Sequence, residues 1–257
     1  MKSNERTNEG LKAVYDGIYA KGKEKFFTTD SLEITGSVLV EDKWNGKKVL
    51  EAGCGTGETA YGIAKLGGEV LAIDYSKEAI IVAEKQFKHP KLKFECKSYE
   101  QINGKFDVVV MQETIEHTND ALGTLKKLKE LTNDGGKIIV TCPSFLNIRG
   151  YVWMSLLMLL KVPMSLTDVH YLCPFDMEEY ADKLGLKLSK WKTLRHSMGN
   201  GEQMVADMRK RLTNALRDAK LPNENVDRFM EWLKKASTYD NTLPHTGATG
   251  VYVFTKG

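Results

Sequence analysis

From Lys47 onward, apolar and polar positions follow a repeating order in which a short continuous run of Val, Ile, Leu or Ala precedes a longer amphipathic stretch. The runs "KKVLEA", "EVLAID", "LKFECK", "FDVVVMQ" and "GGKIIVTC" each read as a strand. Between them, "GETAYGIAKL", "SKEAIIVAEKQF" and residues 119–131 carry apolar residues at helical spacing. Runs without polar alternation belong to strands covered on both faces, as in a parallel sheet with crossover helices. The pattern therefore predicts a doubly wound, Rossmann-like α/β fold.

The second half extends the sheet. Residues 145–162 are rich in aromatic residues and Met and read as a helix, and Asp176 with Glu179 caps another that runs to about Leu184. "LKLSKWKTL" is a sixth strand, 200–219 and 223–236 are two amphipathic helices broken at Pro222, and "GVYVFTK" is the last strand. Pairing of the last two strands at the sheet edge gives a seven-stranded, mostly parallel sheet with an antiparallel last strand and helices on both faces. Upstream, residues 5–25 form a helix with Tyr15 and Tyr19 on one face, and 31–42 a second. The chain reads as one domain: a helical cap over 1–44, a core over 45–143, an insertion over 144–172 and a helical insertion over 199–240.

Composition narrows the setting. A chain of 257 residues, 42% hydrophobic, can bury one full core. Its net charge of +3 comes from 37 basic and 34 acidic residues mixed along the chain, which advertises no nucleic-acid face. Cys54, Cys96, Cys142 and Cys173 form no CxxC pair, so neither a disulfide framework nor a zinc site is expected. "MKSNERTNEG" lacks the apolar core of a signal peptide, and "YVWMSLLMLL" is far short of the roughly 20 residues of a membrane span. A soluble cytoplasmic protein is the expectation.

Chemistry concentrates in "KKVLEAGCGTGETAYGIAK". Gly55, Gly57 and Ala60 satisfy the dinucleotide pattern, with Asp74 as ribose acceptor, so an NAD-linked oxidoreductase is one reading. Glu51 points elsewhere, because an acid there opposes a pyrophosphate and suits an ammonium group. Gly53, Gly55 and Gly57 also let the backbone approach a bulky cationic ligand that needs carbonyl acceptors. Cys54, with no base beside it in sequence, reads as a small packed residue of the loop.

Together, "VLEAGCGTGETAYGIAKLGGEVLAIDYS", "FDVVVMQETIEH" and "GGKIIVTCP" resemble the class I S-adenosylmethionine-dependent methyltransferase family over residues 45–145. The resemblance implies S-adenosylmethionine as cofactor. It places the Glu51, Gly53, Cys54, Gly55 and Gly57 segment around the methionine part, Asp74 on both ribose hydroxyls and Tyr75 against the adenine. It also puts Ser98 and Tyr99 at the adenine edge, although the family often has Asp at the Ser98 position. Met111 and Gln112 fall beside the methionine and sulfonium, and Tyr15 and Tyr19 belong to a cap closing over the cofactor.

A methyl acceptor must bind above the carboxyl ends of the strands. Glu113, Glu116, His117, Asp168, His170 and His245 qualify by position. His170 is the preferred base, with His117 as the second catalytic candidate; no metal is expected, because such groups at a helix start are more often caps and dipole partners. The insertion resembles that of ubiquinone-pathway O-methyltransferases, which handle prenylated phenols, and reads as a lid burying its own apolar side in preference to a membrane contact. The expected function is O- or N-methylation of a small-molecule acceptor. A non-catalytic S-adenosylmethionine-binding regulator is the remaining alternative, and acceptor identity and oligomeric state stay open.

Overall fold

The computed structural model describes residues 16–17, 31–165, 167–239 and 243–257. The helix expected over 5–25, with Tyr15 and Tyr19, lies outside them. In chain order the elements are α1 (Ser31–Leu39), β1 (Lys48–Ala52), α2 (Glu58–Lys65), β2 (Glu69–Asp74), α3 (Lys77–Gln86), β3 (Leu92–Cys96), β4 (Phe106–Gln112), α4 (Ala121–Leu131) and β5 (Thr132–Pro143). They continue with α5 (Ile148–Leu160), α6 (Pro174–Leu184), β6 (Leu186–Leu194), α7 (His196–Asn200), α8 (Glu202–Asp218), α9 (Val226–Ala236) and β7 (Thr249–Lys256).

The strands form one sheet in the order β3-β2-β1-β4-β5-β7-β6. β1 to β5 pair in parallel, and β7 runs antiparallel to both β5 and β6. Alternate residues of β4 enter opposite layers. Val109 and Met111 join Leu50, Ile73 and Leu125 on one face, while Val108 and Val110 join Val49, Ile63 and Val70 on the other. Burial on both faces is why these strands read as unbroken apolar runs. Strand order reverses at β1, so the crevice at the carboxyl ends of β1 and β4 is where an open α/β sheet takes its ligand.

Several boundaries differ from the sequence reading for local reasons. β5 starts at Thr132 instead of the glycine pair: Phe106 pairs with Thr132, the register then slips, and Val108 meets Lys137. The Asn133 amide, donating to Asp107 Oδ1 at 2.9 Å, pins this bulge. α1 ends at Leu39, whose carbonyl accepts from the Trp44 indole at 2.7 Å. The helix expected over 200–219 is α8, Glu202–Asp218, and the short α7 ahead of it was not foreseen; the left-handed backbone of Arg195 (φ 59°) opens α7 and the extended Gly201 separates it from α8. Asp176 does cap α6, but from its first turn, accepting from the Cys173 N–H at 2.7 Å.

The insertions build a second core. Phe145, Trp153, Met204, Met208, Met230 and Leu233 pack together beside the carboxyl edge of the sheet. The inner side of α5 therefore belongs to this cluster, with the Trp153 indole donating to Met208 Sδ at 3.2 Å. The outer end of α5 does not bury its apolar residues, since Met158, Leu159 and Leu160 are all exposed. Among the described residues, no helix is long and apolar enough to cross a membrane.

Candidate active site

The loop after β1 is shaped by its glycines. Gly53 (φ 76°) and Gly57 (φ 88°) occupy the left-handed region, and a Cβ would lie 2.5 Å from Thr114 Oγ1 at Gly53 and 2.7 Å from the Phe94 ring at Gly57. Both positions exclude side chains by conformation and by space. The Gly53 and Cys54 N–H groups donate to the Ile73 carbonyl at 2.8 and 2.9 Å, tying the loop to β2. Asp74 completes the tie: Oδ2 accepts from Gly55 N and Oδ1 from Ser76 N, each at 2.9 Å. Each oxygen keeps a second lone pair for a ribose hydroxyl.

The loop is acidic. Glu51 and Asp74 are both buried, and burial drives the Asp74 carboxyl above its usual range despite its backbone donors. Burial, reinforced by Glu51 and Asp74, also pushes the Cys54 thiol well up, so Cys54 is a packed thiol and no nucleophile. The Ser76 hydroxyl donates to Asp16 at 2.5 Å, which brings a further carboxylate to the same end of β2. Such a surround suits a cation and repels a pyrophosphate.

The other expected cofactor residues divide. Tyr75 is half-buried beside Asp74, and burial and its acidic neighbours keep its phenol protonated. Ser98 starts a turn, its N–H donating to Gln101 Oε1 at 3.0 Å. Tyr99 packs against the sheet core and bonds the Thr124 hydroxyl at 3.0 Å, while the Met111 side chain is fully buried within that core. Any cofactor contact of Met111 is therefore through its backbone. Gln112 accepts from the Thr59 hydroxyl at 2.8 Å, so its side chain braces the start of α2 under the loop.

Beyond β4 lies a mixed cluster of acids, imidazoles and guanidinium groups. Glu113 has φ 47°, strained for a side-chain-bearing residue, and accepts from the Thr141 hydroxyl at 2.9 Å. Burial pushes its carboxyl up to about 7, against the opposing pull of Thr141 and Arg195. Glu116 is buried and held well above the usual carboxylate range by burial and then by Glu113 and Asp168. His117 Nδ1 donates to the Thr167 carbonyl at 3.1 Å and lies 3.6 Å from Asp168; burial lowers its pKa. His170 Nε2 donates to the Thr118 carbonyl at 2.8 Å, which leaves Nδ1 as the accepting nitrogen. Among the described residues, no three His, Cys, Asp or Glu side chains are grouped to hold a metal ion. His245 is half-buried on the segment ahead of β7 and has no hydrogen bond to this cluster among the described residues.

Sequence reading missed Arg149, Arg195 and Thr141. Thr141 and Arg195 carry no motif and come from strand ends far from "ETIEH". Arg149 did leave a signal, as the lone charge in "NIRGYVWMSLLMLL".

Residues 43–158 match a family described as a methyltransferase domain. The ubiquinone biosynthesis O-methyltransferase of Aliivibrio fischeri is 31% identical over 114 residues, 42% of this chain and 48% of that protein. The match thus spans about half the length of that relative. The same-named protein of Acinetobacter baylyi is 27% identical over 164 residues, 59% of this chain and 68% of its own length. Among solved structures, the cyclopropane synthase MmaA2 from Mycobacterium tuberculosis superposes with a TM-score of 0.58 at 17% identity, over 88% of this chain and 84% of that one. Fold, loop and sequence matches together liken residues 43–158 to a class I S-adenosylmethionine-dependent methyltransferase domain. The glycine cradle with two buried acids fits S-adenosylmethionine, a ligand bearing ammonium, sulfonium and ribose groups. Neither the NAD-linked nor the non-catalytic reading gains support.

Proposed function

We propose that this protein methylates a hydroxyl or amine of a small molecule. The observation that carries the reading is the adjacency of two environments: the acid-lined glycine loop at the end of β1, and the cluster of Glu113, Glu116, His117, Asp168 and His170 that follows the neighbouring strand β4. When bound, the cofactor supplies an electrophilic methyl group on a positive sulfur. The chain's part is to orient, to exclude water and to take a proton. His170 is the proposed base, receiving the proton at Nδ1 while the Thr118 carbonyl fixes its ring. His117, held neutral, is its companion in positioning the acceptor.

The insertion 144–172 forms one wall of the acceptor chamber, and Asp16, bonded to Ser76, stands on the cofactor side. The resemblance of the insertion to that of ubiquinone-pathway O-methyltransferases makes prenylated or plain phenols the first acceptors to assay, with primary amines second. Calorimetry should show S-adenosylmethionine and S-adenosylhomocysteine binding and no NAD binding, and a labelled-methyl assay should detect transfer to one acceptor class. A chain that binds NAD in preference to both would overturn the reading, as would cofactor binding without transfer across both panels.

A further inference from the structure

Among the described residues, the guanidinium of Arg149 is only partly matched. Arg149 sits in the first turn of α5 and is 8% exposed. Its Nε is buried without a hydrogen-bond acceptor, and its one ion pair among the described residues, to Asp207 Oδ2, is 4.0 Å long. Asp207 is already engaged, because Arg211 Nε donates to its Oδ1 at 2.8 Å. The face of Trp153 lies 5.0 Å from the Arg149 guanidinium, which orients the group without neutralising it. A buried cation left this way is costly unless something anionic joins it.

Arg195 stands on a segment locked to the same place. Asn200, at the end of the short helix that Arg195 opens, accepts from Ile148 N at 3.0 Å and donates to the Thr246 carbonyl at 2.8 Å. Asn147 caps α5 through Gly150 N at 2.8 Å and donates to the Gly247 carbonyl at 3.0 Å. Gly199 packs so closely on Asn147 that a Cβ would lie 3.2 Å away. These bonds fix the left-handed turn at Arg195 against the start of α5. Both guanidinium charges act on Glu113, and each acts on the other. A buried Arg149 and a half-buried Arg195, brought to one side of the cluster by these backbone bonds, make a receptor for an oxyanion.

We propose that Arg149 and Arg195 form an oxyanion subsite in the acceptor chamber, so that the acceptor carries a carboxylate or phosphate group besides the atom it offers for methylation. This inference rests on the methyl-transfer reading for its purpose, but the subsite can be tested alone. Arg recognises either oxyanion through paired N–H donors, and the two are separated by the probe used.

The test uses the full chain saturated with S-adenosylhomocysteine, titrated with benzoate and with phenyl phosphate at constant ionic strength, followed by tryptophan fluorescence and melting temperature. Wild type should saturate with one or both probes, and the probe that saturates names the oxyanion. Arg149→Gln and Arg195→Gln should each weaken that binding by about tenfold or more, while Arg209→Gln, on the exposed pair with Asp227 and Glu231, should not. If Arg149→Gln fails to fold, Arg149→Lys and Arg195→Gln carry the test. The proposal falls if wild type responds to both probes no more than to chloride, or if the variants bind them as wild type does. It also falls if the variants lose S-adenosylhomocysteine affinity by calorimetry, because the arginines would then serve the cofactor's carboxylate. Failure of wild type itself to bind S-adenosylhomocysteine would instead count against the methyl-transfer reading.

Discussion

Asp74→Asn perturbs a residue that shapes the glycine loop and that, in the proposed cofactor site, accepts from the ribose. In the native chain, Oδ1 accepts from Ser76 N and Oδ2 from Gly55 N, both at 2.9 Å. An amide keeps one accepting oxygen, so one buried N–H loses its partner, at a cost of about 1–3 kcal/mol. Part of that cost is offset, because burial already disfavours the ionised Asp74 carboxylate in the folded state. The melting temperature should therefore fall only modestly. Cofactor binding should suffer more, since the ribose hydroxyls lose charge-assisted acceptors whose combined loss is about 2–3 kcal/mol, or a rise in Kd of roughly 30- to 150-fold. Isothermal titration with S-adenosylhomocysteine, alongside calorimetric melting, separates the two effects. Asp74→Ala is the poorer variant, as it strips both backbone donors of their acceptor and loosens the loop directly. A folded Asp74→Asn protein with wild-type affinity would refute the ribose assignment and leave Asp74 as a loop brace only.

Glu113 makes stability depend on pH. Its carboxyl is raised from 4.5 to about 7, so across that window the folded chain holds a proton that the unfolded chain has released, and stability falls as pH rises. The expected loss is about 3 kcal/mol, and Glu113→Gln should flatten it in denaturant titrations on either side of the window; an unchanged slope would show that Glu113 is not the group responsible. Glu41 works in the opposite sense. Burial favours its neutral form, but the Lys190 and Lys192 ammonium groups, at 2.8 and 2.6 Å, win and hold its carboxyl below the usual range. Its contribution is present above the ordinary value near 4.5 and is lost as pH falls through the lowered one. Glu41→Gln should cost about 1–3 kcal/mol at neutral pH and little in strong acid, and equal neutral-pH melting would discount the pair.

What the sequence could disclose depended on whether structure was encoded locally. The sheet was legible because β1, β2 and β4 are buried on both faces and so carry unbroken apolar runs, and "LKLSKWKTL" matched β6 because it is bounded by Gly185 and by the turn at Arg195. The glycine loop was legible because left-handed backbone at Gly53, Gly55 and Gly57 demands that residue type. The start of β5 was not, since "TNDGG" has turn composition and is recruited to the sheet only through the bulge opposite Asp107. The far wall of the site escaped for a similar reason: Thr141 lies on β5, Arg149 follows it, and Arg195 comes only after β6, so none is near Glu113 in sequence. Trp153, inside the insertion read as a lid, is a strut of the helical core, because Met208 from α8 receives its indole.

The placement of β7 between β5 and β6 sets an order of events. β6 is complete in the chain before its partner exists, for it shares no ladder with β5 and pairs only with β7. The parallel strands β1 to β5 can associate as they emerge, whereas β6 must wait, with α8 and α9 following it, until Thr249–Lys256 arrives and slots between two edges. One late strand thus converts two open edges into ladders, each spanning most of its length. Until it does, the long edge of β5 lies bare, a template for pairing with another chain. The segment that finishes the sheet is therefore also its guard against self-association during synthesis.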